Sequence, residues 1–163
     1  NALKHFEYKN MKFDILKEGS IVFYHTSFPL NSPTAKLTYN VYLRKDPRKI
    51  EKNIEFKGFF DIQDAIVINS TKNFNCDGTG VVAIANFNQV VQALGVQVFN
   101  DANAGCDTQA RYTFIRLVEG NQTRIEQTGP SCYDLYVNNC EVLDVTERFL
   151  NEALAVKLKG ITK

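Results

Sequence analysis

The chain has 163 residues, 44% of them hydrophobic and 23% charged, with a formal net charge of +1 at pH 7. That balance excludes a disordered or fibrous protein, argues against a nucleic-acid binder, and suffices for a single domain, 1–163, with a substantial core. No apolar run is long enough to span a membrane, and no signal-peptide pattern opens the chain. It begins without an initiator methionine, Met11 being the only methionine. We therefore expect a removed signal peptide or membrane anchor upstream of Leu3, with residues 1–2 a cloning scar.

The small net charge hides an asymmetry, because residues 1–60 carry eleven Lys/Arg against six Asp/Glu and the remainder eight against twelve. From Met11 to Arg44 the apolar residues alternate in short runs, Met11-Phe13-Ile15, Ile21-Phe23 and Leu37-Tyr39-Val41-Leu43, each written here at every second position. A period of two marks half-buried strands, since successive side chains of an extended chain point to opposite faces. Lys17-Glu18-Gly19-Ser20 and Asn31-Ser32-Pro33 supply turns, so residues 11–62 are expected to be β-rich, an antiparallel meander that Ile54 to Ile62 continues. The cluster Arg44, Lys45, Arg48, Lys49 and Lys52 surrounds Asp46-Pro47 and reads as a solvated turn. His25 falls on the face of Ile21 and Phe23, as a packed histidine near a strand end rather than a general base.

Residues 64–160 read as an α/β part. The unbroken apolar run Ala65-Ile66-Val67-Ile68 suits a strand covered on both faces, and a helix over 80–94, ended by Gly95, then leads to a strand over Val96 to Phe99. This is a β-α-β unit, with Val81, Ile84, Phe87, Val91 and Leu94 expected inside. Asn86, Asn88, Gln89 and Gln92 decorate the other side, and no charged side chain occurs from Gly78 to Asn100. A face that costs little to desolvate suits a protein partner or a second copy, met through Asn86, Gln89 and Gln92.

A hairpin is expected next, Arg111 to Val118 turning at Glu119-Gly120-Asn121 into Thr123 to Thr128, followed by a strand from Tyr133. Asn138 and Glu141 resemble a capping box opening a C-terminal helix to Lys159, ended by Gly160. That helix is expected to bury Val142, Leu143, Phe149, Leu150, Ala153 and Val156 and to expose Asp144, Glu147, Arg148 and Glu152. The expected fold class is therefore α+β: a mixed sheet with an antiparallel N-terminal meander, one β-α-β unit, a hairpin and two main helices.

All four cysteines, Cys76, Cys106, Cys132 and Cys140, fall in the second half. Three pairings are possible. Cys132 and Cys140 lie at opposite ends of one strand, and at roughly 3.3 Å per residue they exceed the ~7 Å reach of a disulfide. The hairpin would bring Cys106 to Cys132, leaving Cys76 with Cys140 to hold two helix starts together. With two histidines, His5 and His25, and no C-x-x-C, a zinc site is poorly supplied.

Two N-x-[ST] triplets, at Asn69 and Asn121, are glycan acceptors in an exported chain. The loop before the first long helix, with Lys72 and Asp77-Gly78-Thr79-Gly80, places backbone amides where an anion or other ligand would sit, though Asp77 repels anions. Asp101, Asn103 and Asp107 alternate like the start of a calcium loop, but Gly105 and Tyr112 stand where oxygen ligands belong. No cofactor other than calcium is suggested. No catalytic signature is present. The residues thus read as a non-catalytic, extracytoplasmic domain of a surface or membrane-tethered protein, serving binding, sensing or assembly. The alternative is a small exported hydrolase or thiol enzyme using the Cys76/Asp77 region.

Overall fold

The computed structural model describes residues 4–30, 32–70 and 74–159. The N-terminal alternation forms β1 (Lys4–Tyr8), β2 (Met11–Glu18), β3 (Ile21–Leu30) and β4 (Leu37–Leu43), an antiparallel sheet in sequence order. One face of it carries Met11, Phe13, Thr26, Phe28, Val41 and Leu43, all buried. The opposite, solvated face carries Lys12, Asp14, His25, Ser27 and Asn40, with Leu16, Ile21, Phe23 and Tyr42 among them.

The meander stops at Leu43. Residues 47–53, expected as a solvated turn, form the short helix α1 (Pro47–Asn53). Asp46 caps it, accepting the Arg48 N–H at 2.9 Å, and Pro47 occupies the first turn, where its missing N–H costs nothing. Ile50 and Ile54 are what the helix buries. The expected continuation of the meander through Ile62 is also corrected: β5 (Phe56–Lys57) pairs in parallel with the far edge of a second sheet.

That second sheet has six strands in the order β5, β9 (Arg124–Gly129), β10 (Cys132–Val137), β8 (Thr113–Glu119), β6 (Ala65–Asn69), β7 (Gln97–Asn100). β6, helix α2 (Thr79–Ala93) and β7 are the β-α-β unit, with β6 parallel to both β7 and β8. The hairpin is made by a different pair of strands from the expected one. β8 and β9 are not neighbours; β10 lies between them, antiparallel to β9 and parallel to β8. The residues of β8 and β9 alternate well enough for a hairpin, but β10, buried at five of its six positions, takes the central place because it is the most apolar of the three.

Helix α3 (Val142–Lys157) is the central element. It packs on α2, on β10 and on α1, so it has little solvent face left, and Glu147 and Arg148 are buried at 2% and 6% exposure where amphipathic patterning put them outside. Its N-cap is Glu141, without a side-chain cap bond, so the Asn138 capping box does not form; the Glu141 carboxylate instead accepts the Thr123 hydroxyl at 2.7 Å. In α2 the inward residues are Gly80, Ala83, Phe87, Val90 and Val91, while Val81 is 60% exposed. A single hydrophobic cluster runs from Phe13 and Leu43 of the small sheet through Ile50 and Phe149 to Ile66, Ile115 and Leu135 of the large one. At its middle Phe60, Phe87 and Tyr133 pack around Phe149 with centroid distances of 5.0, 5.8 and 5.5 Å.

Candidate functional site

A cavity of about 430 Å³ opens at the carboxyl ends of β6, β7 and β8, against the first turns of α2. This is where ligands gather in sheets with parallel strands, because the crossover to the helix leaves a crevice there. Its walls are apolar, built from Ile68, Phe74, Ile84 and Leu117. Amide side chains of Asn75, Asn88 and Asn100 supply the polarity, and none of the described lining residues is charged.

The loop before α2 is shaped by its own backbone. Cys76, Asp77 and Gly78 are all left-handed, with φ of 52°, 57° and 92°. Gly80 is required for a different reason: a Cβ there would sit 1.7 Å from the Phe74 carbonyl oxygen. The loop wraps that closely because the Asn75 carbonyl accepts the Gly80 N–H at 2.9 Å and its side-chain oxygen accepts the Gly78 N–H at 2.9 Å. Thr79 N–H donates to the Cys76 carbonyl at 3.3 Å. The Gly78, Thr79 and Gly80 amides that would have met an anion are thus spent within the loop. Asp77 and Thr79 are exposed and do not line the cavity, although Gly80 does. Lys72 lies outside the described residues. Gly78, not Asp77 or Thr79, is the N-cap of α2.

Two disulfides are present, one at this end of the sheet and one at the amino ends of β8 and β10. Cys76 is joined to Cys140 with Cα atoms 5.8 Å apart, and Cys106 to Cys132 at 5.6 Å. The first bridge leaves Cys76 no thiolate, which removes the thiol nucleophile from the oxidised protein. The second does not arise from the expected hairpin. The loop preceding β8 meets the start of β10 because those strands run parallel, with Cys132 opposite Phe114. A Cβ at Gly129 would lie 2.7 Å from the Cys106 sulfur, so glycine makes room for the bridge.

The calcium-like segment is already committed to other partners. Asp101 accepts the Asn103 N–H at 2.9 Å. Asp107 accepts the Arg111 backbone N–H at 2.8 Å and its Nε at 2.9 Å, and the Arg111 guanidinium holds the Asp107 carboxyl down at about 2. Among the described residues no three His, Cys, Asp or Glu side chains stand where they could share a metal ion. At the first sequon the Asn69 side chain is 8% exposed and donates to the Ala104 carbonyl at 3.0 Å. Asn121 is exposed in a turn.

On the outer face of the small sheet, register aligns three residues that sequence reading did not connect. Asp14 takes His5 Nδ1 on one carboxylate oxygen at 2.6 Å and faces His25 Nδ1 with the other at 3.4 Å, while His25 Nε2 meets Asn40 at 2.8 Å. The ring of His25 lies 4.9 Å from that of Tyr42. His25 therefore sits on the solvent-facing side of the sheet, bonded to an acidic residue, not packed in a core. On α2, Gln89 and Gln92 are exposed and Asn86 half-buried, beside the exposed Val82.

Among the described residues no helix is long and apolar enough to cross a membrane. The two disulfides indicate an oxidising environment. No family model matches the sequence, and no curated protein or solved structure is similar to it.

Proposed function

We propose that this chain is a non-catalytic, extracytoplasmic binding domain of a surface or membrane-tethered protein, and that its ligand is a small uncharged molecule held in the cavity between β6, β8 and α2. The cavity lining carries this reading: apolar walls with three amide side chains and no described charge favour a neutral, partly apolar body over an ion. Two bridges suit a protein that works outside the reducing cytoplasm. The uncharged face bearing Asn86, Gln89 and Gln92 offers a neighbouring contact for a protein partner or a second copy, for which sedimentation at increasing concentration is the test.

Ala85 lines the cavity and is exposed, so Ala85→Trp fills it without disturbing the core. A thermal-shift screen of uncharged molecules of roughly 10–20 heavy atoms, run on wild type and Ala85→Trp, tests the assignment. A compound that raises the melting temperature of the wild type alone is the expected result. Equal shifts in both proteins, or none in either, would sink it.

A further inference from the structure

We infer that the Cys76–Cys140 bridge is a redox-operated latch on the cavity, opened by thiol–disulfide exchange with an external dithiol; this deepens the binding assignment above and rests on it. Three observations meet at this bridge. Cys76 directly follows Phe74 and Asn75, both cavity-lining, and precedes Gly80, which lines it too, so the loop that the bridge tethers is the cavity wall itself.

Second, both half-cystines hold left-handed backbone, Cys76 at φ 52° and Cys140 at φ 58°, and each has left-handed neighbours, Asp77 and Gly78 on one side and Asn139 on the other. Non-glycine residues occupy this region only when the surroundings impose it. The bridge is a covalent restraint common to both segments. Neither Cys106 nor Cys132 is itself left-handed, although Ser131 beside Cys132 is, at φ 54°. Strain on both sides of a disulfide is relieved by breaking it, which makes the bond more easily reduced.

Third, the bridge can be reached. Cys140 is exposed, just ahead of α3, and Cys76 half-buried; in the other bridge Cys106 is exposed as well, but its partner Cys132 is 0% exposed at the start of the central strand β10. A thiolate of the external dithiol attacks Cys140 Sγ, the sulfur–sulfur bond breaks, and Cys76 leaves as a thiolate that takes up a proton. The second thiol of the reagent then attacks the mixed disulfide, releasing Cys140 as a thiol and the reagent as its own disulfide. Two electrons pass from dithiol to bridge. The freed loop no longer holds Phe74 and Asn75 against Ile84, and the cavity loses a wall.

The test titrates the whole chain with N-phenyl-1-naphthylamine, an uncharged fluorescent probe, before and after graded dithiothreitol treatment, with peptide mapping of each bridge. Cys76–Cys140 should open at lower dithiol than Cys106–Cys132, with probe affinity falling at least fivefold as it does. The Cys76→Ser/Cys140→Ser variant should show the lowered affinity without any response to that low dithiol. Unchanged affinity on selective opening, or Cys106–Cys132 opening first, overturns the latch. Should the probe bind neither form, the cavity assignment fails by itself. Hydrogen exchange at residues 74–80 then decides the latch, since faster exchange on reduction supports it and unchanged exchange overturns it. Because that last readout needs only reduced wild type, it holds even if the double variant does not fold.

Discussion

The Glu147 carboxylate on α3 accepts the backbone N–H groups of Arg44 and Lys45, both at 2.9 Å, and so ties the end of the small sheet to the central helix. Burial raises this carboxyl to about 7, outweighing the two N–H groups that favour the ionised form; Asp144 adds to the rise and Lys45 opposes it. The group is thus protonated in the folded chain over a range where the unfolded chain has lost the proton, and its contribution to stability is full below about 4.5 and is lost as pH rises to about 7.

Across that window the contribution should fall by roughly 3 kcal/mol. Glu147→Gln is neutral at every pH, so the difference between wild-type and variant unfolding free energies, from urea titrations at pH 4.5, 6 and 8, isolates the effect. Parallel curves for the two proteins would refute it.

Tyr133 is fully buried, and its hydroxyl accepts the Asp61 N–H at 2.7 Å while donating to the Phe59 carbonyl at 2.5 Å. This one oxygen fixes the segment between β5 and β6 against β10. Tyr133→Phe keeps the ring stacking but leaves two backbone groups unpaired, at a cost of about 1–3 kcal/mol. Chemical denaturation gives the value, and a loss under about 0.5 kcal/mol would show that water replaces the hydroxyl.

Two glycines only two residues apart should respond differently. Gly80→Ala drives a methyl into the Phe74 carbonyl, so the loop must unwrap and probe binding in the cavity should be lost. Gly78→Ala meets no atom within 4 Å and pays only for φ of 92°, about 1–2 kcal/mol, with binding retained. Similar binding by both variants would separate the loop from the cavity.

Secreted from a glycosylating host, the chain should carry a glycan at Asn121 and none at Asn69. Asn121→Gln is then expected to abolish the glycan mass and Asn69→Gln to leave it, with intact mass as the measurement. A glycan on Asn69 would mean that its side chain is free in the folding chain when the transferase acts.

Local signals carried further than long-range ones. The two-residue alternation of Met11-Phe13-Ile15 and Leu37-Tyr39-Val41 and the apolar run at Ala65 locate strands that the structure contains, and the helix after Gly78 has its expected length within a residue. These depend only on neighbours along the chain. The insertion of β10 between β8 and β9 depends on which strand is best buried by helices elsewhere, and turn chemistry at Glu119-Gly120-Asn121 says nothing about that. Glu147 and Arg148 illustrate the same limit for the helices. Polar residues read as surface unless backbone groups from a distant segment arrive to pair with them, here Arg44, Lys45 and the Ile54 carbonyl, which accepts Arg148 Nε at 3.1 Å. For the cavity, the loop ahead of α2 was legible, but the contribution of Asn100 and Leu117 came only with the strand order.

Strand order also governs synthesis. Because β10 fills the gap between β8 and β9, each of those strands keeps an open edge until residue 137 is made. The cysteines share that delay, for Cys106 must wait for Cys132 and Cys76 for Cys140. Until Cys132 emerges, these four cysteines offer an oxidant only the pair Cys76–Cys106, which is not bridged in the folded structure. A chain arranged in this way depends on a disulfide isomerase, or on oxidation slow enough to follow the last strand and helix into place.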